Sequence, residues 1–124
     1  MKKIWMILIT SVLMLGCSKE IKTFEFVGKS YLGSPHGKQD RFSEYHEYYF
    51  ENEFSVTRTI KTYNHEIGEW SPYTTSRSYK YEYFSMPDMI KIYLYDDNRF
   101  DYAQFIDKNT MIMNKREYKT DLEL

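Results

Sequence analysis

The stretch Phe54–Tyr63 reads FSVTRTIKTY, and its alternation decides the fold class. One face of a strand here would carry Phe54, Val56, Arg58 and Ile60, while small or polar residues occupy the alternate positions between them. Alternation over this length is typical of a β-strand with one buried face, interrupted here by one charge.

The same period recurs outward from this stretch, with turn-forming residues between the repeats. Tyr73–Phe84 and Met89–Tyr95 alternate, and Arg99–Ile106 carries apolar residues on both parities. Aromatic residues make up 19% of the chain and fit a pleated, half-buried surface. Short strands with a turn about every 8–12 residues predict an all-β fold of about seven or eight strands, a small antiparallel meander barrel or sandwich.

One segment, Arg41–Phe50, has two interpretations. Its aromatic residues fall at helical spacing, and Asp40 could cap a helix. Crowded aromatic side chains lower helix propensity, and the polar residues 51–53 before a clear strand indicate a hairpin. We expect a strand over its C-terminal half, Tyr45–Phe50.

The N-terminus has the pattern of a secretory signal. Lys2 and Lys3 precede Ile4–Leu15, twelve residues that are apolar except for Thr10 and Ser11. A membrane-spanning helix needs about 20 such residues. The hydrophobic segment of a cleaved signal needs only about 7–15 behind a basic start.

Met14–Cys17 resembles a bacterial lipobox, the cleavage site of lipoprotein signal peptides. The resemblance implies cleavage between Gly16 and Cys17 and lipidation of Cys17, the only cysteine in the chain. The alternative is an ordinary buried cysteine after an N-terminal hydrophobic strand. The lipobox interpretation divides the chain into a signal peptide that would form a helix (residues 1–16), a lipidated tether (17–22) and a single β-rich domain (23–124).

This interpretation places the protein in the bacterial cell envelope, attached to the membrane through its N-terminal lipid. Ser18 after the cysteine resembles lipoproteins sent to the outer membrane, so in a Gram-negative cell that membrane is expected over the inner one. A Gram-positive cell-surface lipoprotein would have much the same pattern. The net charge of −1 becomes −3 when Lys2 and Lys3 are removed. A nucleic-acid partner is not expected, since such a partner requires a basic surface.

The mature chain resembles the small lipocalin-like (calycin) domains of bacterial lipoproteins. The resemblance rests on Val27–Tyr31, on the hairpin Tyr49–Phe54 and on the closing meander strands. It implies a barrel-like architecture, but those domains differ widely in ligand, so it implies no particular one.

No pattern in the chain specifies a chemistry. The three histidines lack zinc-site spacing, and His46 beside Glu44 and Tyr48 is either a metal or acid–base cluster or an ordinary surface histidine. Asp96–Asn98 is explained by a hairpin turn. We therefore predict no catalytic residue, no metal, no cofactor and no enzymatic activity.

The tyrosines are the remaining candidates for a binding face. Tyr79, Tyr81 and Tyr83 share one side of a predicted strand, and Tyr93 and Tyr95 would lie across from them on the next. Such a face either stabilises the sheet or recognises a ligand. We expect a non-catalytic binding module for a small apolar or sugar-like ligand. The alternative is an envelope interaction protein (immunity, inhibitor or exclusion lipoprotein) that binds a protein partner through the tyrosines.

Overall fold

A computed structural model describes residues 25–85, 88–94 and 98–124. The predicted signal peptide, Gly16, Cys17 and Tyr95 lie outside the described residues. The described part contains no helix, which confirms the all-β prediction. Its nine strands are β1 (Ser30–Gly33), β2 (Phe42–Phe50), β3 (Ser55–Asn64), β4 (Glu69–Trp70), β5 (Thr75–Phe84), β6 (Met89–Leu94), β7 (Arg99–Asp107), β8 (Thr110–Met113) and β9 (Arg116–Lys119).

Eight of these strands close into an antiparallel barrel. The ring runs β1, β2, β3, β5, β6, β7, β8 and β9, and β9 returns to β1 through the pair Lys119 and Leu32. Of the two expected architectures, the barrel is therefore the one adopted. The short strand β4 is an addition that pairs with the last residues of β3, Tyr63 and Asn64.

The segment Arg41–Phe50 is a strand over almost its whole length, so the helical alternative is wrong. All nine residues of β2 pair with β3, from Phe42 opposite Asn64 to Phe50 opposite Val56. The helical spacing of its aromatics has a physical cause, because the strand is covered on both faces. Tyr48 and Phe50 face the barrel core, whereas Tyr45 is buried on the other face, edge-to-face with Trp70 at 5.4 Å.

The barrel interior is filled by side chains. Fifteen buried residues form one apolar cluster, and eight of them are aromatic. Phe26 precedes β1 and stacks on Phe105 with ring centroids 4.6 Å apart, which covers one end of the barrel. The other aromatic members of the cluster are Tyr31, Tyr48, Phe50, Tyr79, Tyr81 and Tyr118.

Candidate functional site

One end of the barrel carries arginines at positions that face the interior. At this end β1, β3, β6 and β8 finish and β2, β5, β7 and β9 begin. Each arginine is separated from a buried residue of its own strand by an even number of positions or lies opposite a buried residue of the next strand, so it is on the inner face. We call this end of the barrel the arginine end. It is defined by Arg58, Arg77, Arg99 and Arg116.

Arg58 is the most deeply placed of the four. Its guanidinium donates a hydrogen bond to the hydroxyl of Tyr79 at 2.9 Å. It also lies over the ring of Tyr79, 5.1 Å from the centroid, in cation–π geometry. In the strand register Arg58 is opposite Tyr48 on one side and Arg77 on the other. The hydroxyl and the ring of Tyr79 thus hold a positive charge just above the apolar core.

Two buried tyrosines form the floor beneath these charges. Tyr48 and Tyr118 are each 2% exposed and pack edge-to-face at 5.5 Å. Burial is the main cause that raises the pKa of Tyr48 to about 12, and it also raises the pKa of Tyr118. Both hydroxyls therefore remain protonated at neutral pH. They can donate hydrogen bonds to an anion but cannot act as bases there.

Carboxylates at the same end balance part of the positive charge. Asp101 has a side chain only 12% exposed and lies 3.7 Å from the guanidinium of Arg99. Glu44 is the other inward-facing carboxylate, and its Oε2 is 2.7 Å from His46 Nε2 and 3.5 Å from His36 Nε2. Burial lowers the pKa of His46 despite the neighbouring carboxylate. The neutral imidazole then donates its Nε2 proton to Glu44.

The described inward-facing residues of this end thus include four arginines and two carboxylates. Asp96 and Asp97, between β6 and β7 in the sequence, lie outside the described residues. A cleft of about 140 Å³ opens between the arginines of β3 and β5. Its lining consists of Arg58, Ile60, Thr75 and Arg77.

The predicted tyrosine face does not exist as one surface. Tyr79 and Tyr81 are buried inside the barrel, 4% and 3% exposed, and Tyr83 packs partly buried against the same core. Tyr93 pairs with Lys80, so it lies on the outer face of the sheet, opposite to those three. The prediction of one face is wrong because the register between β5 and β6 aligns Tyr81 with Ile92 rather than with a tyrosine.

The arginines were missed because Arg58 was interpreted only as a charge that interrupts its strand, and the other three were not considered. The available signal was the alternation of side chains along a strand. It puts Arg58 on the same face as Val56 and Ile60, and Arg77 on the same face as Tyr79. Together these positions indicate a polar layer inside the sheet. That the four strands bring their arginines to one end depends on pairing and could not be read locally.

Other kinds of site find less support in the described residues. No group of three His, Cys, Asp or Glu is arranged there to hold a metal ion. Nor does that part of the chain include a helix long and apolar enough to cross a membrane. Four surface clefts lined by described residues have volumes of about 100 to 250 Å³.

The described chain is thus a filled antiparallel barrel with a positively charged end. Comparisons with protein-family models, with curated proteins and with solved structures find no match.

Proposed function

We propose that this protein is a lipid-anchored, non-catalytic interaction protein of the bacterial envelope that recognises a protein partner through its arginine end. The filled barrel interior carries the proposal. A carrier of a small apolar or sugar-like molecule needs a pocket of about 300–1,000 Å³. The space that such a ligand would occupy is taken here by Phe50, Ile90, Ile92 and Met111, each 0% exposed.

The position of the tether supports recognition at the arginine end. The described chain enters the barrel at Glu25, at the opposite end, which we call the tether end. There Gly28 N–H donates to the carbonyl of Phe50 at 2.8 Å and fixes the entering turn. Cys17 lies eight residues before Glu25, so an extended tether reaches at most about 26–29 Å. A lipid on Cys17 would keep the tether end towards the membrane and the arginine end away from it.

Photo-crosslinking in the envelope tests the proposal. A photoreactive amino acid replaces Thr75 at the rim of the arginine end, and a matched variant carries it at Asn109 at the tether end. Both side chains are exposed. We expect a defined protein crosslinked from position 75 and not from position 109. Equal products from both positions would contradict recognition at the arginine end.

Native mass spectrometry of the full-length protein extracted in detergent decides between the two binding functions. We expect the mass of the lipidated chain alone. A stoichiometric small molecule retained with the folded protein would instead establish a ligand carrier.

Metabolic labelling with a radioactive fatty acid tests the anchor separately. Cys17→Ala is expected to abolish labelling and to release the chain from the membrane fraction. Cys17→Ala that is still labelled would rule out the lipobox.

A further inference from the structure

We infer that the cleft between Arg58 and Arg77 is a binding site for a single oxyanion group, the carboxylate of an acidic segment in the protein partner. This inference rests on the proposed function and specifies the chemistry of its site. A carboxylate and a phosphate share the recognition chemistry, so the experiment below separates a partner's side chain from a free anion.

The strand register creates the site. Arg58 on β3 and Arg77 on β5 are direct Cα partners on the inner face of the sheet. Like charges placed directly opposite each other destabilise a sheet. The cleft that both arginines line lies at this register pair, and an anion bound there would add to the interactions that each arginine already makes with other protein groups.

The cleft is large enough for one functional group of a ligand but too small to enclose a whole small molecule. Its volume of about 140 Å³ exceeds the roughly 30 Å³ occupied by one water molecule in the liquid. It is well below the about 300–1,000 Å³ of pockets that enclose small-molecule ligands. A carboxylate or phosphate fits, with the remainder of the molecule outside the barrel.

The chemistry of the lining favours an oxyanion. A guanidinium presents five N–H donors in a planar fork that matches the geometry of a carboxylate. Arg58 is held in place by Tyr79, and both arginines also contact other protein groups. The site does not require unpaired arginines, because one guanidinium can donate hydrogen bonds to a neighbouring group of this chain and to a ligand at the same time. The exposed Thr75 adds a hydroxyl at the rim.

The charge asymmetry of the barrel favours an acidic partner at this end. Carboxylates of Glu25, Asp88 and Asp107 surround Tyr31 at the tether end and help to raise its pKa, although burial is the larger cause. Lys29 and Lys108 offset part of that negative charge, since Lys29 Nζ and the Tyr31 hydroxyl both donate to the carbonyl of Lys108. The arginine end carries the four guanidiniums beside the two carboxylates of Asp101 and Glu44, so its described inward-facing residues have a positive balance. An acidic segment is therefore favoured at the arginine end over the tether end.

The test uses the full-length protein in neutral detergent micelles and three probes: a capped hexaglutamate peptide, inorganic phosphate, and a capped hexalysine peptide as the charge control. Titration calorimetry gives the affinities, and the arginine side-chain N–H signals in NMR spectra locate the site. We expect hexaglutamate to bind and to shift these signals, whereas hexalysine does not bind. Saturable binding of phosphate without hexaglutamate would retain the oxyanion site but assign it to a free anion.

The decisive variant is Arg77→Gln, and its control is Lys80→Gln. Both remove one positive charge from an exposed side chain of β5, on the inner and the outer face respectively. Loss of a charged hydrogen bond is expected to weaken binding about tenfold or more in Arg77→Gln. Lys80→Gln is expected to change it less than about twofold, since its charge lies on the outer, solvent-screened face. Equal effects of the two variants, or no binding of any anion, would overturn the inference.

Three further outcomes separate this inference from its alternatives. Asp96→Asn/Asp97→Asn is expected to preserve or strengthen hexaglutamate binding, and loss of binding would overturn the site. Tighter binding of a single-stranded oligonucleotide than of hexaglutamate would overturn the assignment to an acidic protein segment. A partner that crosslinks at position 75 equally well in Arg77→Gln would leave the proposed function intact and remove only the oxyanion site.

Discussion

At Gly33 strand β1 lies too close to strand β9 to leave room for a side chain. A Cβ atom placed there would lie 2.4 Å from the carbonyl oxygen of Glu117 and 2.7 Å from the ring of Tyr118. The missing side chain leaves the room in which the Tyr118 ring packs, below the arginine end. A methyl group would have to displace backbone and a buried ring.

Gly33→Ala is therefore expected to lower the free energy of unfolding by about 1–3 kcal/mol, the usual cost of overpacking. Urea denaturation followed by circular dichroism measures it. The control is Ser30→Ala on the same strand, whose position is only partly buried. Equal stability of the two variants would contradict the close approach of β1 and β9.

His46 gives the arginine end a dependence on pH. Its side chain is 12% exposed, and burial lowers its pKa below the ordinary value of 6.5, with Arg58 and His36 acting in the same direction and Glu44 against it. The unfolded chain therefore binds the proton more tightly than the folded chain. The stabilisation by neutral His46 is present above pH 6.5 and is lost as the pH falls towards the pKa of the folded state.

We accordingly expect the free energy of unfolding to decrease between pH 7 and 5, and His46→Gln to show a weaker decrease. Denaturation curves across this range measure the slopes. Thr62→Ala, at the residue paired with Glu44, is the non-titrating control and should keep the slope of the parent protein. A slope unchanged in His46→Gln would show that other groups dominate.

The turn between β8 and β9 places two consecutive non-glycine residues in the left-handed region. Asn114 and Lys115 have φ values of 52° and 64°, and they connect Met113 to its partner Arg116. Two-residue hairpins of this kind favour Asn-Gly, because both central residues need positive φ. A lysine in the left-handed region costs about 1–2 kcal/mol.

Lys115→Gly is expected to stabilise the protein by about 1 kcal/mol, the strain relieved less the extra entropy of glycine. Thermal unfolding gives the change. Lys108→Gly in the turn between β7 and β8 is the control, since Lys108 is not among the residues with positive φ. Lys108→Gly should destabilise the protein slightly. Stabilisation by both substitutions would point to a general effect of removing lysine.

Alternation of residues was sufficient to place most strands, and the failures have local causes. The strand β9 was overlooked, because Arg116–Lys119 contains one apolar residue, Tyr118, among charges. Alternation along the strand showed that Tyr79 and Tyr81 share a face. It could not show that this face is the barrel interior, or that Tyr93 lies behind it, because both depend on the register between strands.

For the whole molecule, closure of the barrel is set by pairing between strands that are distant in sequence. The long ribbon of β2 and β3 pairs over nine residues, whereas β1 and β9 share one register pair, Leu32 and Lys119. Since that contact joins the two ends of the domain, a barrel and a sandwich have nearly the same local pattern. The arginine end exists only after closure, when four strands bring their arginines to one place.

The closed barrel also predicts how the protein unfolds in alkali. Among the described residues, burial is the main cause that raises the pKa of five tyrosines above the ordinary value of 10.0. The unfolded chain therefore loses these protons first, so the stabilisation is complete below pH 10 and is lost as the pH rises above it. The five residues are Tyr31, Tyr45, Tyr48, Tyr81 and Tyr118.

Spectrophotometric titration should therefore show some tyrosines ionising in the folded protein and the buried ones ionising only as the fold is lost. Tyr48→Phe retains the buried ring but removes one hydroxyl, so its unfolding should shift to higher pH. Tyr73→Phe, where the side chain is 86% exposed, should leave the pH of unfolding unchanged. Ionisation of all thirteen tyrosines in one step near pH 10, with the circular dichroism of the fold preserved, would be incompatible with a barrel filled by these side chains. It would also remove the main support for a protein that binds at its end rather than in its interior.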